Sequence, residues 1–256
     1  MSIARTNILG VGVSAVNMDL AVAAIEGWIQ RSEPHYVCVA TVNNITECQR
    51  DPEFRRIHAR SGMVTPDGMP LVWLSQLKGA RHVKRVYGPD LMLEMSQVSV
   101  EKGYRYFLYG GGEGIADRLA SKLIERYPGL QIVGTDTPPF SPLTTEEDQA
   151  AIERINAAKP DIVWVGLSTP KQERWMASHV HKLNVPVLIG VGAAFDFHAG
   201  VKKQAPHWMQ RSGLEWLHRL ACEPRRLWKR YFINNPWFVG LVLLQLCGIK
   251  RYQLEE

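Results

Sequence analysis

The stretch GMVTPDGMPLVW, Gly62 to Trp73, carries one acid in surroundings that are otherwise apolar or small. Asp67 stands between Pro66 and Gly68, with Met63, Val64, Met69, Leu71, Val72 and Trp73 close by in the chain. A solvated surface aspartate usually has charged neighbours. This one either starts a helix or is held in a cleft for chemistry. In a cleft, loss of water raises a carboxyl pKa from ~3.9 toward the range of a working general base.

Three further segments could carry chemistry. FLYGGGEGIADRL reads as strand, three glycines, then helix. Amides at a helix N-terminus attract phosphate, which makes Gly110 and Gly111 candidate phosphate contacts. A tight turn at positive φ asks for the same residues. The spacing is not G-x-G-x-x-G and no Lys-Ser/Thr follows, so it matches neither a dinucleotide fingerprint nor a P-loop. In VGLSTPKQERWM, Thr169 can cap a helix with Pro170 as its first residue and Gln172 as the capping-box partner. The same segment sets Lys171 and Gln172 where a ligand could meet them. GVGAAFDFHAGVKKQAP ends a strand with Asp196 and His198. Asp196 suits a ribose hydroxyl or a base edge, or the capping of a turn. His198 has no second His or Cys at metal-ligand spacing, so it reads as a satisfied histidine. The chain contains no D-x-D, and the acids of EED (146–148) suit a solvated helix start. Neither a metal nor a cofactor is expected.

These segments need a frame. Apolar runs YVCVATV (36–42), YRYFLYG (104–110), LQIVGT (130–135), DIVWVGL (161–167) and VPVLIGVG (185–192) alternate with amphipathic helical stretches. That alternation predicts an α/β fold, a mostly parallel sheet with helices on both faces. Ligands of such sheets bind at the carboxyl ends of the strands, where the polar and glycine residues above gather. NILGVGV reads as a first strand, and Asp19 lies near the start of the helix that follows. The N-terminus does not read as a signal peptide. Cys38, Cys48, Cys222 and Cys247 are scattered, without a CxxC pair, and read as reduced thiols.

The net charge of +5 is concentrated in one place. Six cations between Arg211 and Arg230 face only Glu215 and Glu223. Beyond them Pro236 to Ile249 is apolar except for Gln245, shorter than the ~20 residues a membrane span needs. With Trp228, Tyr231, Phe232, Trp237 and Phe238 and flanking cations, the tail reads as an interfacial anchor on an anionic membrane surface. The alternative is a helix pair docked on the core or on a second copy of the chain, so a homo-oligomer stays open. Nucleic acid is not an expected partner, because FVGLVLLQL has no use on a polyanion.

ATVNN, TPDGMPLVW, RVYGPDL, FLYGG, VGLSTPKQERWM and GVGAAFDFHAGVKKQAPHWMQRSGLEWLHRL occur in this order and spacing. Together they resemble the WecG/TagA/CpsF glycosyltransferases (glycosyltransferase family 26), from about Ile8 to Arg230. The resemblance implies a Rossmann-like catalytic domain, 1–205, and a basic helical C-terminal appendage, 206–256, that associates with membrane and closes over the site. It implies inverting transfer of a hexose-type sugar (N-acetylmannosamine, its uronic acid or glucose) from a UDP-sugar donor, and the missing D-x-D, with Arg85 and the appendage arginines at hand, makes metal-independent transfer the expectation. The acceptor would be a polyprenyl-diphosphate-linked saccharide at the cytoplasmic face of a bacterial plasma membrane. Asp67 then matches the base, Thr41 and Asn43 the polar pair after the second strand, Arg85 an arginine near the reacting centre and Gln172 the glutamine of the PKQE motif. Asp196 matches the acid facing uridine, and Arg211, Arg219 and Arg226 are candidates for the diphosphate. Family members often read TPNP where this chain has TVNN, but the Thr and Asn are kept. A rival of another class is a non-catalytic nucleotide-sugar-sensing subunit of a membrane polysaccharide complex, which would use the same glycine edge and tail.

Overall fold

The computed structural model describes residues 3–139 and 141–255, with Arg230 described by its backbone alone. In chain order it begins with β1 (Arg5–Ile8), β2 (Val11–Ser14), α1 (Met18–Arg31), β3 (His35–Ala40), α2 (Val42–Arg50), α3 (Pro52–Arg60), β4 (Met63–Pro66) and α4 (Met69–Leu77). Then follow α5 (Gly88–Lys102), β5 (Arg105–Gly110), α6 (Ile115–Arg126), β6 (Gln131–Asp136), α7 (Thr145–Ala158), β7 (Ile162–Gly166), α8 (Lys171–His179) and β8 (Val187–Gly190). The last elements are α9 (Ala194–His198), α10 (His207–Arg211), α11 (Glu215–Cys222) and α12 (Pro224–Leu246). Two compact units divide them: Met1–Met18, Val39–Tyr87 and Gln204–Glu256 in the first, Asp19–Cys38 and Gly88–Lys203 in the second.

The predicted α/β sheet is present. Six strands run in the order β4-β3-β8-β7-β5-β6. In the second unit β3, β8, β7, β5 and β6 pair in parallel. Their apolar runs are continuous because helices cover the sheet. Val37, Cys38, Leu108, Trp164, Val165 and Ile189 have no exposed surface. The five predicted strand runs become β3, β5, β6, β7 and β8.

The first unit corrects the reading of NILGVGV as one strand. Leu9 and Gly10 both adopt positive φ, 52° and 82°, which turns the chain into the antiparallel hairpin β1-β2. Two positive-φ residues at a two-residue turn match the right-handed twist of hairpin strands. Leu9 tolerates this because its side chain is fully buried and its backbone is held. Its N–H donates to Gln245 Oε1 at 3.2 Å and its carbonyl accepts from Gln49 Nε2 at 2.8 Å. MVTP, not foreseen as a strand, is β4, four residues too short to show a period.

The tail docks by one face. On α12, Leu227, Asn234, Phe238 and Val242 are buried. Asn234 accepts from Arg50 of α2 at 2.8 Å and donates to Asn43 at 3.2 Å, while Arg50 lies 4.6 Å over the Trp237 ring. The other face stays open, with Phe232 65% and Leu243 55% exposed. Among the described residues no helix is long and apolar enough to cross a membrane.

Candidate active site

Asp67 does not start a helix. It follows β4, and Gly68 takes the N-cap position of α4, with Pro70 in the first turn. The Asp67 N–H donates to the carbonyl of Ala40 at 3.0 Å, fixing it beside the end of β3. Its side chain is therefore free to face a cavity of about 570 Å³, lined wholly by residues of the first unit. Thr41 and Asn43, at the start of α2, Arg85 and Arg219 line the same cavity. One wall is apolar, built from Trp73 and Leu74 of α4 and from Phe238 and Val242 of α12. Gly213, at φ 75°, lets the turn before α11 pass over Trp73, since a Cβ there would sit 2.9 Å from the indole.

Arg85 organises the polar floor. Its Nε donates to the Asp67 carbonyl at 2.5 Å. Its Nη2 donates to Asp67 Oδ1 at 2.9 Å and to Glu215 Oε2 at 2.5 Å. The guanidinium lies 4.0 Å over the Tyr87 ring, and the Tyr87 hydroxyl donates to Glu215 Oε1 at 3.4 Å. Burial pushes the Asp67 carboxyl up to about 6; Glu215 adds to the rise, while Arg85 and Arg219 oppose it. Arg85 stays firmly charged: burial alone would lower its pKa, and Asp67 and Glu215 together raise it further. The Tyr87 hydroxyl is raised by burial, then by Glu215 and Asp67, so it stays protonated and donates. A carboxylate with its pKa near neutrality, lining a cavity beside an apolar wall, can take a proton from a hydroxyl.

The three candidate arginines separate. Arg219 lines the cavity, and Asp67, Glu215 and Tyr87 act on its charge. Arg211 and Arg226 are exposed and do not line it, and Arg226 pairs with Glu223. Lys171, Gln172, Asp196, Gly110 and Gly111 belong to the second unit. There Gln172 is buried, with its Nε2 donating to Glu173 Oε1 at 3.2 Å and its side chain against Gly190. The predicted capping box is absent. Pro170 takes the N-cap position of α8 without a side-chain bond, and Thr169 donates to Glu173 instead, at 2.8 Å. Asp196 is paired with Lys202 at 2.8 Å. His198 donates from Nε2 to the Pro89 carbonyl at 2.9 Å, the satisfied histidine expected. EED opens α7, capped by Thr144 and Glu147.

Gly110 has a packing reason of its own. Its φ is 120°, and a Cβ there would lie 2.7 Å from the Gly166 carbonyl carbon on the neighbouring strand. Backbone cannot yield as a side-chain tip can. Gly110→Ala is expected to cost about 1–3 kcal/mol of stability, read from thermal or urea unfolding; an unchanged midpoint would show that the strands can part there.

Sequence reasoning missed Glu215, Tyr87, Trp73 and Asn234. Glu215 had a signal, since Arg219 follows four residues later and an i,i+4 pair shares a helix face. Asn234 had none, because its partners Arg50 and Asn43 are more than 180 residues away.

The profile of the glycosyl transferase WecG/TagA/CpsF family matches residues 6–252. A protein of Bacillus subtilis (strain 168) is 31% identical over 235 residues, 89% of this chain and 89% of its own length. One of Bacillus spizizenii is 27% identical, covering 84% of this chain and 81% of its own. One of Staphylococcus aureus (strain NCTC 8325 / PS 47) is 25% identical, covering 97% and 94%. Each of the three carries the name N-acetylglucosaminyldiphosphoundecaprenol N-acetyl-beta-D-mannosaminyltransferase.

Proposed function

Because the chain belongs to the WecG/TagA/CpsF glycosyl transferase family, we propose that it moves a hexose-type sugar from a UDP-sugar to a saccharide carried on a polyprenyl diphosphate, with inversion. One observation carries the reading: a buried carboxylate, Asp67, held by Arg85 at the floor of a cavity with an apolar wall. Asp67 takes the proton of the acceptor hydroxyl as its oxygen bonds to the anomeric carbon. The bond from that carbon to the UDP oxygen breaks, and UDP leaves with the electron pair. Attack opposite UDP turns an α-linked donor into a β-linked product, in keeping with the β-D-mannosaminyl group in the relatives' names. N-acetylmannosamine is accordingly the first donor to try, before its uronic acid and glucose.

Thr41 and Asn43 position the acceptor sugar. For Gln172, Lys171, Asp196, Gly110 and Gly111 the proposed partner is the nucleotide sugar. Arg85 and Arg219 offset the charge that develops on the diphosphate, which is the support for transfer without an added metal ion. The apolar wall suits the first isoprene units of the acceptor.

The protein works as a peripheral protein at the inner face of the plasma membrane. Trp228, Phe232, Val239 and Leu243 fall in steps of four and seven on the open side of α12, and exposed Arg225, Arg226 and Lys229 stand beside them. Apolar and cationic groups on one helix favour an anionic lipid surface.

The test uses purified protein, a panel of UDP-sugars and a short prenyl-diphosphate saccharide in anionic or neutral vesicles, with and without EDTA. UDP release that needs acceptor, is faster on anionic vesicles and survives EDTA is expected. Loss in EDTA restored by Mg²⁺ or Mn²⁺ would refute metal independence, and equal rates on both vesicles would refute the anionic surface. Tight UDP-sugar binding with no turnover of any donor would leave the sensing role in its place.

A further inference from the structure

A single guanidinium nitrogen, Arg85 Nη2, serves two buried carboxylates, Asp67 at 2.9 Å and Glu215 at 2.5 Å. Asp67 has a task in the reaction proposed above, but Glu215 has none. It sits at the first residue of α11, and its other oxygen accepts from Tyr87. A carboxylate bound to an arginine of its own is a poor base, because the cation lowers its proton affinity. An Arg85 devoted to Asp67 alone would do this.

We infer that Glu215 is a positioning residue that divides the charge of Arg85 and so keeps Asp67 basic enough to take the acceptor's proton. The inference rests on Asp67 being that base. The two carboxylates also repel, which favours the proton on one of them. When Asp67 becomes a neutral acid, Glu215 remains to balance Arg85, so the step does not leave a bare cation in the cavity. The other groups acting on Asp67 are Arg219 of α11, which opposes Glu215, and Tyr87, which stays neutral; from α12, Tyr231 acts on Arg219.

Glu215→Gln keeps the size and the hydrogen-bonding oxygen and removes the charge. Its kcat/KM is expected to lose its acidic limb at lower pH than the parent, by about one pH unit or more. At pH 7 its kcat falls several-fold, since a weaker base is left. Glu215→Asp, which restores the charge, brings the limb back toward the parent. The same shift is read without turnover, from the γ-carboxyl ¹³C titration of labelled aspartates, using the resonance that Asp67→Asn removes. An unmoved Asp67 titration in folded Glu215→Gln overturns the inference, even if stability drops. Turnover that survives in Asp67→Asn overturns the base assignment instead, which separates the two failures.

Discussion

Asp67→Asn loses about 10²–10⁴ in kcat while unfolding no earlier than the parent at pH 7. Asparagine keeps the shape and an oxygen for Arg85 Nη2, but it cannot accept a proton at working pH. The fold has no reason to suffer. The folded carboxyl titrates near 6, above its unfolded value, so the folded form holds a proton that the unfolded form releases. Stability contributed at low pH is therefore lost as pH rises from about 4 to about 6, the sense of a raised carboxyl pKa. Removing that carboxyl removes the loss. In the parent, kcat/KM should fall tenfold per pH unit below about 6, as free Asp67 takes up a proton. The checks are a pH–rate profile of the parent and a thermal scan of both proteins. A mutant with parental turnover would remove Asp67 from the chemistry. A mutant that simply unfolds would make its role structural.

Arg85→Ala is expected to do more damage to the protein than to the substrate contacts it removes. Two carboxylates, 12% and 13% exposed at their side chains, would be left facing each other without their shared cation. Breaking a buried pair in this way costs about 3–5 kcal/mol. The cavity can escape part of that by protonating one carboxyl. Asp67 then carries a proton at pH 7, and turnover is lost together with stability. Arg85→Lys keeps a charge but cannot donate at once to the Asp67 carbonyl and to both carboxylates from a planar fork. It is expected to recover stability more fully than activity. Urea unfolding at pH 5 and pH 7 checks the mechanism: Arg85→Ala should lose more stability at the higher pH. Equal losses at both would mean that charge is not the cause.

The legible and illegible parts of the site divide along physical lines. Asp67 was marked by its own neighbours, as the one acid in a run that is otherwise apolar or small. The parallel sheet was legible because Val37, Leu108, Trp164 and Ile189 sit in continuous apolar runs, the mark of strands covered on both faces. The hairpin was not: Leu9 and Gly10 turn within an unbroken apolar run, and only Gly10 carries a usual turn signal. The tail was read as a membrane surface element. Docking on the core stood as the alternative, and one face of α12 does dock; the partners could not be foreseen, because Asn234 and Gln245 are held by Asn43, Arg50, Leu9 and Asn7, all in the first fifty residues. The fixed place of Thr41 and Asn43 follows from the end of β3, whereas the selection of Arg219 over Arg211 and Arg226 needed the course of α11.

The cavity is assembled from residues 41–85 and 210–243, with most of the second unit lying between them in the chain. At ~5–20 residues per second, a ribosome needs roughly ten to thirty seconds to pass from the first set to the last. During that interval Asp67 and Arg85 have been made, but Glu215, Arg219 and the α12 wall have not. Met69, Trp73 and Leu74 then have no cover of their own and are open to whatever holds nascent chains. A message cut short before α12 yields a chain that has Asp67 and Arg85 but lacks the α12 wall of their cavity. The cavity around Asp67 is complete only once α12 has been made.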